Sequence, residues 1–178
     1  MKRPRQTLLA ALLATAFLLA ACSGGAGGSD TELVASARGY IEKQDHAAAV
    51  IQLKSALQKN VNNAEARQLL GASLLETGDA KGAAIELRKA LELGVEAKVA
   101  QPLLAKAMLA QGQTREVVKE FAAVTLDDPE AQADLKTTVA TAHAALGDRD
   151  KARDAVAAAL EASPKLPAAQ SLHESFMA

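Results

Sequence analysis

Few residues of this 178-residue chain could do chemistry, and they form no recognisable site. The one cysteine, Cys22, cannot form a disulfide within the chain. The three histidines are far apart in the sequence, and no motif links His46, His143 and His173. Catalysis by side chains requires a nucleophile or base together with a group that orients it. Because the sequence contains no such combination, we expect that the protein is not an enzyme.

Two other patterns resemble ligand sites, but helix geometry explains them better. Asp148, Asp150 and Asp154 could attract a cation, yet acids are also favoured at the N-terminus of a helix. Residues 78–82 contain two glycines and a lysine, but they lack the spacing of a phosphate-binding loop and follow a predicted helix rather than a strand. We therefore expect no metal and no cofactor.

Residues 1–21 have the composition of an export signal. Three cations and no acid lie within residues 2–5, ahead of an apolar run over residues 7–19 that is too short for a good membrane span. The segment Leu19-Ala20-Ala21-Cys22 resembles the lipobox of bacterial lipoproteins, in which the signal is cut before the cysteine and the thiol receives diacylglycerol. The resemblance implies lipidation of Cys22 and stable attachment to a membrane through two or three acyl chains. An ordinary signal or an uncleaved anchor helix is the alternative.

Residues 22–29 are predicted to hold the folded part of the chain close to that membrane. Residues 23–29 consist of Gly, Ser and Ala, form a flexible linker and span roughly 25 Å when fully extended. In the best-known lipoprotein sorting rule, Asp after the lipidated cysteine retains the protein at the inner membrane. Ser23 therefore implies a cell-envelope protein that is lipid-anchored in the outer membrane and faces the periplasm.

The composition of the remaining chain favours packed helices and a protein partner. Apolar residues make up 49% of the chain and aromatic residues only 2%, so the core must consist of Ala, Leu and Val. Without the three cations of the signal, 17 of the 20 basic residues remain beside 21 acidic residues, which gives a net charge of −4. Because a nucleic-acid partner favours a basic face, we expect no nucleic-acid binding.

A repeat of 34 or 35 residues fills the chain after the linker. The dipeptide Gly78-Asp79 recurs at this spacing as Gln44-Asp45, Gly112-Gln113 and Gly147-Asp148. Small and apolar residues follow each dipeptide at constant distances: Ala49-Leu53-Ala56, Ala83-Leu87-Ala90, Val117-Phe121-Val124 and Ala152-Val156-Ala159. The period and pattern resemble the tetratricopeptide repeat (TPR), a hairpin of two helices. The resemblance implies an all-α, right-handed α-solenoid of about four TPR hairpins plus a C-terminal helix.

The TPR pattern also predicts the repeat boundaries and the ends of the helices. The repeats occupy residues 30–63, 64–97, 98–132 and 133–166, and residues 167–178 form a terminal capping helix or the start of a fifth repeat. We expect the second helices to be capped by Asp45, Asp79, Thr114 and Asp148, each after a left-handed turn that is a glycine in three of the repeats. Pro102 is tolerated in the first turn of a helix, which predicts a late start of the third pair near Gln101. Arg67 departs from the TPR pattern at the fourth position of its repeat.

In TPR proteins, the first helices of the repeats line a concave groove that binds a partner. The resemblance implies that positions 2, 5, 9, 12 and 13 of each repeat face this groove, and these positions include Val34 and Pro102. From the groove positions we take as candidate binding residues Arg38, Glu42, Glu65, Gln68, Glu76, Lys106, Leu109 and Thr141. This mixed lining suits an extended peptide or a helix of a partner protein. The alternative is that these side chains are ordinary solvated residues.

Beyond the repeat, the chain resembles the TPR lipoproteins of the PEP-CTERM/exosortase system (PrsT type). The resemblance rests on the lipobox with its Gly/Ser linker and on residues 33–37, 47–60, 63–67 and 86–94. It implies a scaffold in exopolysaccharide production and surface-protein sorting. Those proteins are much longer, so either this chain is the N-terminal portion of such a protein or their role does not carry over to it. Two other classes stay open: a pilotin or outer-membrane assembly lipoprotein that binds a secretin or barrel precursor, and the accessory region of an enzyme.

Overall fold

The computed structural model describes residues 28–177, and every regular element in that range is an α-helix. The helices are α1 Asp30–Glu42, α2 His46–Lys59, α3 Ala64–Glu76, α4 Ala80–Glu92, α5 Ala97–Ala110, α6 Thr114–Phe121, α7 Pro129–Ala145, α8 Arg149–Ala162 and α9 Pro167–Met177. The predicted signal, Cys22 and most of the predicted linker lie outside the described residues.

The helices pair as four hairpins: α1–α2, α3–α4, α5–α6 and α7–α8. The second helix of each of the first three hairpins also packs against the first helix of the next, and the first helices α1, α3, α5 and α7 contact one another in that order. Helix α9 packs against α7 and α8. The predicted all-α solenoid of four hairpins with a C-terminal helix is therefore confirmed.

Left-handed turns join the two helices of every hairpin. Gly78, Gly112 and Gly147 have φ angles of +86°, +75° and +81°, as the repeated dipeptide predicts. In the first hairpin the same place is taken by Gln44 with φ +60°, the one non-glycine residue with positive φ among the described residues. A side chain in this region costs energy that glycine does not.

Two of the four predicted caps form and two do not. The Asp45 carboxylate accepts a hydrogen bond from the backbone N–H of Ala48 at 3.0 Å, and the Asp79 carboxylate accepts one from that of Gly82 at 2.8 Å. The prediction for Thr114 is wrong, because α6 already begins there and Gln113 occupies the cap position without a side-chain bond. Asp148 lies at the cap position of α8, but its side chain makes no capping bond. Its carboxylate instead lies 3.4 Å from Nδ1 of His143.

The prediction of a late start for the third pair is also wrong. Helix α5 begins at Ala97, and Pro102 lies inside it. Proline removes one backbone donor, so the carbonyl four residues earlier, on exposed Lys98, loses its helical partner and can bond to water instead. Pro102 itself is buried, together with Leu104 and Met108. Tertiary packing therefore holds the helix through a residue that local preference would exclude.

Small residues bring the helices of each hairpin close together. Gly71 and Ala83 are buried at the crossing of α3 and α4, and a Cβ atom on Gly71 would lie 2.6 Å from Leu87 Cγ. Ala37 and Ala49 occupy the same places in the first hairpin and are fully buried. Helix axes approach closely only where side chains are this small, so these positions set the geometry of the hairpins.

Arg67 fills the fourth position of the second repeat as a buried link between two repeats. Its side chain is 9% exposed and its guanidinium donates to the Val61 carbonyl, through Nε at 3.1 Å and Nη2 at 2.8 Å. Nη1 forms an ion pair with Glu86 of α4. The departure of Arg67 from the TPR pattern therefore has a structural cause, because the side chain joins the loop after α2 to the second hairpin.

Lys136 makes the equivalent contact between the third and fourth repeats. Its ammonium group donates to the Ala122 carbonyl at 2.8 Å, at the end of α6. Burial lowers the pKa of Lys136. Helix α6 is short, and residues 122–128 connect it to α7. Helix α7 begins at Pro129, four residues before the predicted start of the fourth repeat at residue 133.

Candidate partner-binding surface

Helix α3 presents one continuous accessible stripe. The residues of the stripe are Glu65, Gln68, Leu69, Ala72, Leu75 and Glu76. Spacings of three and four residues place side chains on one side of a helix. The opposite side is buried against the neighbouring helices and contains Ala66, Arg67, Leu70, Gly71, Ser73 and Leu74. Helix α3 therefore leaves a single face for a partner.

The other first helices expose the same positions of their repeats. The accessible residues are Arg38, Ile41 and Glu42 on α1, Val99, Lys106, Leu109 and Ala110 on α5, and Asp134, Thr137, Thr141, Ala144 and Ala145 on α7. Because α1, α3, α5 and α7 contact one another in sequence, their stripes join into one surface. We call these residues, with the stripe of α3, the first-helix surface.

All eight candidate binding residues lie on the first-helix surface. Arg38, Glu42, Glu76 and Thr141 are exposed, and Glu65, Gln68, Lys106 and Leu109 are half-buried. Two further groove positions carried over from the TPR pattern do not face a partner. Val34 is 5% exposed and belongs to the core, and Pro102 is buried within α5.

Two ion pairs cross the first-helix surface between neighbouring hairpins. Arg38 Nη2 lies 2.6 Å from Glu65 Oε1, and Lys106 Nζ lies 3.0 Å from Asp134 Oδ2. Each pair joins the ninth position of one repeat to the second position of the next. The side chains involved are between 34% and 60% exposed, so each pair contributes about 0–1 kcal/mol to stability. Both candidate cations are therefore already bonded within the protein.

The corresponding positions between the second and third repeats are apolar. Ala72 occupies the ninth position of the second repeat and Val99 the second position of the third, the positions that form the ion pairs between the other repeats. Val99 is 37% exposed. A second apolar row follows the twelfth position of the repeats, formed by Ile41, Leu75 and Leu109. These three side chains pack against the core on one side while the other side remains accessible. The centre of the first-helix surface is thus an apolar strip with an ion pair on either side. The strip consists of Ile41, Ala72, Leu75, Val99 and Leu109.

Two carboxylates border this strip. Glu42 and Glu76 occupy the thirteenth position of the first two repeats and are exposed. Neither forms an ion pair with any residue in the range 28–177. In the third and fourth repeats, Ala110 and Ala145 take this position. The unpaired charge on the first-helix surface is consequently negative and lies at its N-terminal half.

The described part of the chain contains no cluster of potential metal ligands. Within it, no group of three or more His, Cys, Asp or Glu side chains is placed to hold a metal ion. His143 is 5% exposed, at the packing position that the repeat predicts, and its one side-chain neighbour by hydrogen bond is Asp148. None of the helices between residues 28 and 177 is both long enough and apolar enough to cross a membrane.

Comparison with known proteins identifies the fold. No protein-family model and no curated protein sequence matches the chain. Solved structures do match it, among them the MamA protein, with a TM-score of 0.68 and 19% identity over 83% of this chain and 86% of that chain. A thermophilic TPR protein of Thermus thermophilus, TTC0263, matches with a TM-score of 0.66 and 18% identity over 83% of this chain and 81% of that chain. The chain has the TPR fold.

A third similar structure is YrrB, described as a TPR protein with an unusual peptide-binding site. Its TM-score is 0.63, with 18% identity over 84% of this chain and 82% of that chain. At such identities the likeness concerns the fold, so the TPR solenoid is shown while the partner is not. The groove positions predicted from the TPR pattern are accessible except at the fifth position of the first and third repeats, where Val34 and Pro102 are buried. The sequence prediction also missed that Arg38 and Lys106 are paired, although opposite charges 27 and 28 residues apart were the available signal.

Proposed function

We propose that this TPR protein is a non-enzymatic scaffold that binds a segment of a partner protein along the first-helix surface. The observation that carries the proposal is the apolar strip of Ile41, Ala72, Leu75, Val99 and Leu109, which no element between residues 28 and 177 covers. An apolar groove in a helical scaffold is a common docking site for a peptide or helix. The peptide-binding site described for YrrB supports the same use of the fold.

We also propose that the protein is an exported lipoprotein held in the outer membrane and facing the periplasm. The support is the lipobox-like segment that ends at Cys22, followed by the Gly/Ser linker. The resemblance of the chain to the PEP-CTERM/exosortase lipoproteins supports a scaffold role in exopolysaccharide production and protein sorting. Replacing Cys22→Ala is expected to release the protein from the membrane fraction and to abolish labelling by radioactive palmitate. Membrane attachment that survives this substitution would contradict the lipid anchor.

The scaffold role is tested by capture of partners with a matched pair of variants. The surface variant carries Leu75→Gln and Leu109→Gln, and the control carries Ile51→Gln and Ile85→Gln. The two isoleucines are 63% and 45% exposed on α2 and α4, the second helices of the first two hairpins. Both variants exchange two apolar side chains for Gln on different faces, but Leu75 and Leu109 also pack against the core, whereas Ile51 and Ile85 are exposed. Far-UV circular dichroism and thermal unfolding show whether each variant folds.

The proposal predicts that the tagged wild type and the control capture the same protein from solubilised envelopes and that the surface variant loses it. A partner retained by the surface variant and lost by the control would contradict the proposal. Ala72→Gln provides a second test, because it changes an accessible position without removing a packed side chain. The identity of the captured protein separates the pathways: exopolysaccharide or sorting proteins support the PEP-CTERM role, and a secretin or barrel precursor contradicts it.

A further inference from the structure

The two long faces of the solenoid carry different charge. On the first-helix surface, the cations Arg38 and Lys106 are bonded to acids of the next repeat, while Glu42 and Glu76 remain unpaired among the described residues. The second helices expose basic side chains, among them Lys54, Lys81, Lys89 and Lys119, and also the acids Glu92, Glu116, Asp154 and Glu161. The unpaired charge of the first-helix surface is therefore negative, whereas the second helices expose charges of both signs.

The unpaired carboxylates lie directly beside the apolar strip. Glu42 follows Ile41 and Glu76 follows Leu75, so in each of the first two repeats an accessible apolar side chain and a free carboxylate are adjacent. An acidic segment on this surface would be repelled by both carboxylates, and the two cations of the surface, Arg38 and Lys106, are already paired. Lys43, at the end of α1, is exposed beside Glu42 but lies outside the surface, and Glu76 has no such neighbour. A neutral polar segment would leave the strip uncovered. A segment with basic and apolar side chains satisfies both features.

We propose that the partner segment is cationic and amphipathic, with basic residues that pair with Glu42 and Glu76 and apolar residues that cover the strip. The proposal rests on the proposed function, since it names the chemistry of the segment that the first-helix surface binds. Packed helix axes lie about 8–10 Å apart. Two basic residues seven apart on one face of a helix span about 10.5 Å, which matches this distance. A helical segment with that spacing therefore reaches both carboxylates, whereas residues three apart in an extended chain point to opposite faces.

Three synthetic peptides separate the charge of the segment from its apolar character. Each has about 14 residues, which span roughly 45 Å when extended. One peptide combines Lys with Leu, the second combines Glu with Leu, and the third combines Lys with Gln. Binding of each fluorescently labelled peptide to the purified full chain is measured by anisotropy at low and at physiological salt.

The Lys/Leu peptide is expected to bind more tightly than the other two and to bind more weakly at higher salt. Glu42→Gln with Glu76→Gln should weaken its binding about 2- to 30-fold, because two exposed charge pairs are lost. Glu92→Gln with Glu161→Gln is the matched control, since it removes the same charge from exposed positions of second helices. The control should leave the affinity within about twofold, because its charges lie on the other face.

The outcomes distinguish this inference from the proposed function. Preferred binding of the Glu/Leu peptide, or equal weakening by the two pairs of Gln variants, would overturn the cationic partner. If one of the peptides binds and its binding is lost with Leu75→Gln and Leu109→Gln, the result still supports the first-helix surface as the binding surface. If the Lys/Leu peptide binds with the same affinity to wild type and to the variant with both leucine substitutions, both proposals would be overturned. If no peptide binds, the cationic partner is overturned and the capture experiment alone decides the scaffold role.

Discussion

The buried link at Arg67 allows the strongest stability prediction. The side chains of Arg67 and Glu86 are 9% and 16% exposed, so water screens the pair poorly. Removing one partner of a buried ion pair leaves the other charge without compensation and costs about 3–5 kcal/mol. Since Met fills much of the volume and Glu86 can turn towards solvent, we expect Arg67→Met to lower the free energy of unfolding by about 2–4 kcal/mol.

The partner substitution and the double substitution test this reasoning. Glu86→Met should cost less, because Arg67 keeps its two hydrogen bonds to the Val61 carbonyl. The double variant should be more stable than the sum of the two effects predicts, by about 1–3 kcal/mol.

Urea unfolding followed by circular dichroism measures all four proteins, and thermal unfolding should show a fall in Tm of roughly 4–16 °C for Arg67→Met. A cost below about 0.5 kcal/mol for Arg67→Met, or additive effects in the double variant, would refute the buried link.

Three further predictions follow from single positions. Gly71→Ala should lower the free energy of unfolding by about 1–3 kcal/mol in urea titration, because the new Cβ would overlap the facing helix of its hairpin; an unchanged midpoint would contradict this tight crossing. Gln44→Gly should raise the free energy of unfolding by up to about 1 kcal/mol, since glycine adopts the positive φ without strain; a loss of stability would show that Gln44 is not strained. The Asn63 and Asn60 amides, each 2.9 Å from the Asp30 carboxylate, lower the pKa of Asp30. The stability gained is therefore present above the usual range of an Asp pKa and lost as pH falls through the lowered pKa. Thermal unfolding against pH should show wild type more stable than Asp30→Asn at pH 7, with the difference shrinking as pH falls below the usual range of an Asp pKa, and a difference that does not shrink in acid would refute this link.

The helical hairpins were predictable because their signals are local and repeated. A left-handed turn recurs at a near-constant spacing, followed by Asp in three repeats and by Gln113 in the third, and small buried residues lie at a fixed distance after it. The start of α5 was not predictable in the same way. Pro102 opposes a helix locally, and only the burial of its neighbours Leu104 and Met108 shows why the helix continues. Tertiary packing overrode the local preference of one residue.

The position of the first-helix surface was predictable from the sequence, but its free charges were not. The spacing of accessible residues along α3 follows from the helical period alone. Which charges remain free depends on how far each hairpin is displaced along its neighbour, and the sequence does not show that displacement. The pairing of Arg38 and Lys106 leaves Glu42 and Glu76 as the free charges, a distinction that only the packing of α1 on α3 and of α5 on α7 provides.

The direct test of the central proposal is site-specific photo-cross-linking in the cell envelope. A photoreactive amino acid is placed at Leu75 or Leu109 on the first-helix surface and, for comparison, at Ile51 or Ile85 on the second helices. Binding along the first-helix surface predicts that positions 75 and 109 cross-link to one and the same partner and that positions 51 and 85 do not. Cross-links to a partner from positions 51 and 85 alone would contradict the account and would move the binding surface to the other face of the solenoid.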